Sequence, residues 1–279
     1  MRALVVALVF AAAPAHAQFN LRDLNINKML DKAKTVMSAT TEIAEPDEIA
    51  IGRDMAARLL GAAPLVNDPG LQRYVNHVGR WLAAQSERPD LPWRFGVLDA
   101  PEVNAFAVPG GTVFVTRGLV QRMRSEAELA GVLAHEISHV LRKHHLKAVQ
   151  KAAQTSLAGD ALQHALKEQR PEARDKLITL GNELYTRGLD KSDELEADRV
   201  GIVIAARAGY DSYGLASVLQ TLHAMNAQDS ALALMFKTHP SPGERLNALT
   251  DRMQSVLDSY ATQPQLPERF AAETKSLRR

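Results

Sequence analysis

The sequence predicts an α+β fold that is mostly α-helical, with a small antiparallel sheet. Apolar residues recur at helical spacing along most of the 279 residues, and aromatic residues contribute only 5% of them. Alternating segments with strong turn signals are confined to residues 86–116. We therefore expect one helical domain that carries a single short sheet.

The N-terminus predicts a secretory signal peptide over residues 1–17. Arg2 supplies the positive start, residues 3–13 the apolar run, and Ala15-His16-Ala17 a small-residue cleavage site. An uncleaved membrane anchor is the alternative, but the run is too short to span a bilayer comfortably. Because no cysteine follows the cleavage site, a lipid anchor is disfavoured, and we expect an exported chain without a transmembrane segment.

Composition limits the partners and the source of stability. Loss of Arg2 leaves 32 of the 33 Lys and Arg residues against 32 Asp and Glu, which argues against nucleic acid as a partner. The absence of cysteine means that stability must come from a core or a metal. We expect a linker and peripheral helix over 18–45, one domain over 46–260 and a C-terminal tail over 261–279. The sequence shows no internal repeat, so we expect no docking module built from repeats.

The first half of the domain reads as two helices followed by the sheet. Pro46-Asp47-Glu48 starts a helix that ends before Gly61, and a second helix begins at Asp68-Pro69. Strands are predicted at 93–98, 103–108 and 112–116, with Pro109-Gly110-Gly111 as a turn. The middle strand either covers the next helix or receives an extended peptide by β-augmentation, and spacing does not separate these alternatives.

The next helix carries the H-E-x-x-H pattern. Ser125 and Glu128 form a capping box at its start. His135 and His139 are four residues apart, so they share one face and reach one Zn²⁺ at about 2.0–2.1 Å. Glu136 lies beside the first ligand, where a carboxylate takes a proton from a metal-bound water. Two histidines also fall on core helices by chance, so a third ligand is needed.

An acidic helix start at 192–199 offers that third ligand. Glu194 and Asp198 are spaced i, i+4 and share a face, whereas Glu196 points the other way. The acids could merely complement the helix dipole. A site of two His and one Glu needs a carboxylate from a second helix, and a second acid can orient a ligand histidine. We expect one zinc per chain, bound by His135, His139 and Glu194, with Asp198 as the orienting acid.

Two segments stay open on spacing alone. Residues 146–187 fit a pair of helices, which would form either a flap over a cleft or a passive spacer. Thr238 to Arg245 is a Pro-rich turn before a helix, and its His239 has no role that spacing can assign.

With these motifs in order, the chain resembles peptidase family M48 over roughly residues 46–256. This is the zinc metalloendopeptidase family of HtpX and the CAAX prenyl proteases, which also has soluble periplasmic members. The residues that carry the resemblance are Asn104 to Gly111 with Gly118-Leu119, His135 to His139, Glu194 to Arg199, and Thr238-His239-Pro240 with Arg245.

The resemblance implies a zincin-like metalloprotease domain with His135, His139 and Glu194 on zinc and Glu136 as general base. It places His239 and Arg245 beside the metal, where they would stabilise the oxyanion, or where His239 would occupy the open zinc position and keep the enzyme latent. It also implies that the middle strand binds substrate, and this strand consists of Asn104, Ala105, Phe106, Ala107 and Val108.

The expected function is that of a gluzincin-type zinc metalloendopeptidase. Its implied substrates are unfolded or misassembled envelope or outer-membrane proteins in the periplasm of a Gram-negative bacterium. The alternative from another class is a periplasmic chaperone-like binding protein with a structural zinc, which would tolerate Glu136→Gln. A zinc hydrolase acting on a cell-wall amide is a lesser alternative, because such a substrate does not need an edge strand.

Overall fold

The computed structural model describes residues 43–155, 188–225 and 229–278. The predicted signal peptide, nearly all of the predicted linker, and residues 156–187 of the predicted helix pair lie outside these ranges. The helices are α1 (Glu45–Ala62), α2 (Pro69–Ala83), α3 (Arg117–Val120), α4 (Glu126–Leu141), α5 (His144–Thr155), α6 (Lys191–Arg207), α7 (Gly214–His223), α8 (Ala233–Thr238), α9 (Pro242–Tyr260) and α10 (Pro267–Glu273). Short 3₁₀ helices span Ser230–Leu232 and Lys275–Arg278.

The sheet has three strands, β1 (Arg94–Leu98), β2 (Ala105–Val108) and β3 (Thr112–Thr116), in the order β1-β3-β2. The prediction of a mostly helical fold with one small sheet is confirmed, but the sheet is mixed. β2 and β3 pair antiparallel across the Pro109-Gly110-Gly111 turn, whereas β1 runs parallel to β3. Although β2 follows β1 in the sequence, β3 lies between these two strands in the sheet. β1 therefore neighbours β3, which runs in the same direction as β1.

Helix α4 lies at the centre of the domain, and all of its residues are buried. It packs most extensively against α6, and also against α7, α2 and the sheet. Its start is capped as the sequence predicts, because Ser125 Oγ accepts a hydrogen bond from the Glu128 N–H at 3.2 Å. The Glu128 carboxylate accepts a hydrogen bond from the N–H of Arg124. A capping box would instead use the N–H of Ser125, the next residue. The helix with the H-E-x-x-H pattern is thus the core helix.

The C-terminal segment differs from the predicted tail. Residues 261–278 contain α10 and a 3₁₀ helix, and Phe270 and Leu277 belong to the main hydrophobic core. Arg269 forms an ion pair with the buried Glu126 at the start of α4, and the Ala127 N–H donates to the Gln265 carbonyl at 3.1 Å. This segment therefore supports the N-terminal end of the central helix. Short, weakly periodic helices of this kind leave little signal in a sequence.

Within the ranges that the structure describes, every helix is too short or too polar to cross a membrane.

Candidate metal centre

A close contact between α4 and α6 brings the two motif helices together. At Gly201 of α6, a Cβ atom would lie 2.8 Å from the backbone nitrogen of His135. Only glycine allows this approach without a shift of one backbone. The contact directs Glu194 and Asp198, both fully buried, towards the histidines of α4.

Three predicted ligands converge on one point. His135 Nε2 lies 3.1 Å from His139 Nε2, and the Glu194 carboxylate oxygens lie 3.7 Å and 3.6 Å from these two nitrogens. Ligands of a tetrahedral zinc with bonds of about 2.0–2.1 Å lie about 3.3–3.4 Å apart. In addition, Glu194 Oε1 is buried and has no hydrogen-bond partner among the described residues. An orphaned carboxylate oxygen is costly unless it binds a cation, so these residues fit a metal ion.

Asp198 and Arg245 lie on the side of His135 that faces away from the other candidate ligands. Asp198 Oδ1 lies 2.9 Å from His135 Nδ1, the ring nitrogen that faces away from the other ligands. Arg245 of α9 contacts both carboxylate oxygens of Asp198, at 2.5 and 2.9 Å, and is itself buried. A planar guanidinium suits this two-point contact and balances the buried carboxylate.

A narrow cleft runs past the ligands. It is lined by Glu136, His139, Glu194 and His239, and by residues 104–107 of the β2 segment. Its volume is about 20 Å³, room for roughly one water molecule. Larger cavities of about 540 and 580 Å³ lie elsewhere, and neither is lined by a residue of the H-E-x-x-H motif.

His239 reaches the same point from the turn before α9. Its Nδ1 lies 2.7 Å from Glu194 Oε2, and its side chain is 15% exposed. Ligand atoms of His135, Glu194 and His239 all lie within 4.8 Å of one another. His239 is therefore close enough to act on a bound metal or on a group beside it.

Burial and neighbouring charges shift the pKa values in opposite directions. Burial raises the pKa of Glu136, whereas it lowers the pKa of His139 well below its ordinary value. Burial alone would raise the pKa of Glu194, but the charge and hydrogen bond of His239, together with the charges of His135 and Arg245, lower it to about 2. Burial would also raise the pKa of Asp198, but the charges and hydrogen bonds of Arg245 and His135 lower it. Neutral imidazoles and ionised carboxylates are the forms that bind metals.

The structure brings the predicted residues Glu136, His135, His139, Glu194, Asp198, His239 and Arg245 into one cluster. It also adds two residues that the sequence did not single out. His144 Nδ1 lies 2.9 Å from His139 Nδ1, and Glu196 lies 3.4 Å from the other nitrogen of His144. Helical spacing could not reveal them, because His139, His144 and Glu196 lie on three different helices, α4, α5 and α6.

The two outer strands of the sheet differ in their surroundings. Side chains of α2 cover the outer edge of β1, since the Phe95 N–H donates to Asn76 and the Val97 N–H donates to Gln72. A covered edge cannot pair with another strand. β2 is the other outer strand of the described sheet, and it is the one beside the candidate metal ligands.

Comparison with known proteins agrees with this architecture. The model of peptidase family M48 matches residues 69–253. The beta-barrel assembly-enhancing protease of Escherichia coli (strain K12) is 32% identical over 226 residues, which cover 78% of this chain and 46% of that protein. Mitochondrial metalloendopeptidase OMA1 of Arabidopsis thaliana is 29% identical over 70% of this chain and 39% of its own length. Metalloprotease LoiP of Escherichia coli is 26% identical over 89% of this chain and 88% of its own length. The chain thus spans about half the length of the first of these relatives.

Proposed function

The chain belongs to peptidase family M48, and from that premise we propose that it is a zinc-dependent metalloendopeptidase. We assign His135, His139 and Glu194 as the ligands of one zinc ion and Glu136 as the general base. The observation that carries the proposal is the convergence of two imidazole nitrogens and an orphaned, buried carboxylate oxygen beside a buried glutamate.

The donor set is that of a catalytic rather than a structural zinc site. Two His and one Glu leave one tetrahedral position open, whereas structural sites are closed by four protein ligands. When bound, Zn²⁺ supplies Lewis acidity that acidifies water and polarises a carbonyl group. The residues of this chain then have to orient the substrate and move protons.

Glu136 is the proton carrier in this proposal. Its carboxylate lines the cleft next to His139, and burial raises its pKa towards the range in which a general base works best. Glu136 would accept a proton from the attacking water and give it to the leaving amine of the cleaved peptide. Asp198 and Arg245 would hold His135 in the tautomer that leaves Nε2 free to bind the metal.

The geometry separates the roles of Arg245 and His239. Arg245 is bound to Asp198 behind His135 and does not line the cleft, which favours a positioning role over contact with an oxyanion. His239 lines the cleft and contacts Glu194. Because the cleft has room for about one water, we favour the role in which His239 restricts access and keeps the resting enzyme latent.

We propose that substrates bind as an extended strand along Asn104–Val108. Residues 104–107 of this segment line the cleft together with His139, and peptides that add to a sheet in this way present their backbone to the site. Only segments without fixed structure can extend like this, which favours unfolded or misassembled proteins as substrates. One relative is named for enhancing β-barrel assembly, so we place the clients among outer-membrane proteins and the enzyme in the periplasm.

The proposal is tested with the mature chain and β-casein as an unfolded substrate. We expect wild type and Glu136→Gln each to hold about one zinc, and the variant to cleave at least about 100-fold more slowly because it lacks the base. Glu268→Gln, on the exposed surface of α10, is the matched control and should cleave like wild type. Equal cleavage by Glu136→Gln would remove Glu136 from the mechanism.

The outcome also separates the rival function. If wild type holds zinc but neither protein cleaves, a chaperone-like binding protein and a latent protease remain. His239→Ala decides between them, because only the latent protease gains activity from that change.

A further inference from the structure

The two zinc histidines differ in what holds their second ring nitrogen. Nδ1 of His135 faces the carboxylate of Asp198 directly. Nδ1 of His139 faces no carboxylate among the described residues; it lies 2.9 Å from Nδ1 of His144, a residue that is only 2% exposed. A histidine in this position is not explained by the catalytic roles assigned above.

A sharp bend in the chain creates the contact. In a continuous α-helix, residue 144 would be five positions beyond His139, about 140° around the axis, and would face away from it. Instead, α4 ends at Leu141, and Lys143 adopts a left-handed conformation with φ of 54° before α5 begins at His144. Non-glycine residues rarely adopt this conformation. The bend turns His144 back towards His139.

The positions of the protons follow from the contacts. His139 directs Nε2 at the other ligands, so its single proton belongs on Nδ1 when it binds a metal. His144 Nδ1 must then be the acceptor, which leaves the proton of His144 on Nε2. That nitrogen lies 3.4 Å from Glu196 Oε2, a long contact, and 3.9 Å from Asp193 Oδ1. Arg142 Nε lies 3.2 Å from the other oxygen of Glu196, an ion pair without hydrogen-bond geometry.

We propose that His144 and Glu196 are positioning residues that fix the tautomer and ring orientation of His139 for zinc binding. In this arrangement, His139 Nδ1–H donates to His144 Nδ1, and His144 Nε2–H donates to Glu196. This relay is the counterpart, on the second histidine, of the direct contact between Asp198 and His135. Loss of such supporting contacts typically lowers metal affinity about 10- to 100-fold. The inference rests on the zinc site assigned under the proposed function.

The variants are chosen to separate the hydrogen bond from simple packing. His144→Leu fills similar space without an acceptor, whereas His144→Asn keeps an oxygen at the position of Nδ1. Glu196→Leu removes the far end of the relay at a side chain that is 42% exposed, so it tests the relay even if a change at His144 prevents folding. His77→Leu, at an exposed histidine of α2, is the matched control.

Three readouts are taken on each protein: the zinc dissociation constant by chelator competition, urea unfolding without zinc, and the nitrogen-15 spectrum of the His139 ring with zinc. We expect His144→Leu to bind zinc about 10- to 100-fold more weakly and to lose the fixed Nδ1–H form of His139. His144→Asn should recover most of the affinity, Glu196→Leu should bind several-fold more weakly, and His77→Leu should match wild type.

Two results would overturn the inference. One is unchanged zinc affinity in His144→Leu. The other is equal weakening in the Leu and Asn variants, accompanied by the same loss of stability without zinc, which would mean packing alone. If instead wild type fails to bind zinc, or binds it equally well after His139→Ala, the assigned zinc site is wrong and not merely its support.

Discussion

Arg245 contacts both carboxylate oxygens of Asp198, at 2.5 and 2.9 Å, in the buried space behind His135. The pair links α9 to α6, and through His135 to α4. Each charge is acceptable in the interior only because the other is present. α6 and the first turn of α9 are thereby joined beside the candidate metal centre.

The first prediction concerns this pair. Arg245→Met leaves the buried Asp198 carboxylate without its cationic partner, so we expect the free energy of unfolding to fall by about 3–5 kcal/mol. Adding Asp198→Asn removes the uncompensated charge and should restore part of the loss. Arg252→Met, on the exposed face of the same helix, is the control and should change stability by less than about 0.5 kcal/mol. Urea unfolding measures all of these, and equal effects at 245 and 252 would refute the pairing.

The second prediction concerns the contact of α6 with α4. Gly201→Ala places a Cβ 2.8 Å from the backbone nitrogen of His135, so one helix must move. Because the ligands are divided between these helices, we expect zinc affinity to fall at least about tenfold and stability to fall by about 1–3 kcal/mol. Gly61→Ala, where no atom lies within 4 Å, should instead be neutral or slightly stabilising. Zinc affinity as high as that of wild type would show that the close approach is not needed.

The third prediction concerns latency. His239→Ala removes the side chain that contacts Glu194 in the narrow cleft, while the three proposed ligands remain. We expect zinc content to stay at about one per chain and turnover of β-casein to rise, by up to about tenfold if the open form is about one tenth populated. His77→Ala should leave turnover unchanged. A fall in turnover with zinc retained would assign His239 to the oxyanion instead, and no change would remove it from the mechanism.

The fourth prediction concerns alkaline pH. Tyr74 and Tyr210 donate to the buried Glu126 at 2.9 and 2.8 Å, and burial beside this carboxylate raises the pKa of both phenols. Their native pKa values exceed the unfolded value of about 10, so their contribution to stability is complete below pH about 10 and is lost as the pH rises above it. We expect unfolding free energy to fall more steeply between pH about 9 and 11 in wild type than in a Tyr74→Phe/Tyr210→Phe variant. Parallel curves would contradict these shifts.

The part of the candidate site that the sequence predicted is the part that depends on helical periodicity. His135 with His139, and Glu194 with Asp198, are one helical turn apart, so the shared face of each pair follows from spacing alone. The resemblance placed Arg245 beside the metal, but it did not predict the contact of Arg245 with Asp198. A contact between separate helices leaves no periodic trace in the sequence.

Three features lay beyond sequence reasoning for physical reasons. The direction of β1 depends on the path of the chain around β3 and not on the alternation of its side chains. His144 reaches His139 only because Lys143 adopts a left-handed conformation that lysine rarely takes. Residues 261–278 looked like a tail, yet Phe270 is fully buried, since a single aromatic residue can anchor a helix too short to show a pattern.

The most direct test of the metal site is anomalous diffraction at the zinc edge, from crystals of the protein grown with equimolar zinc. We expect one peak per chain, about 2.0–2.2 Å from His135 Nε2, His139 Nε2 and a carboxylate oxygen of Glu194. A peak bound by other residues, or none at this position, would contradict the assignment on which the proposed peptidase mechanism depends.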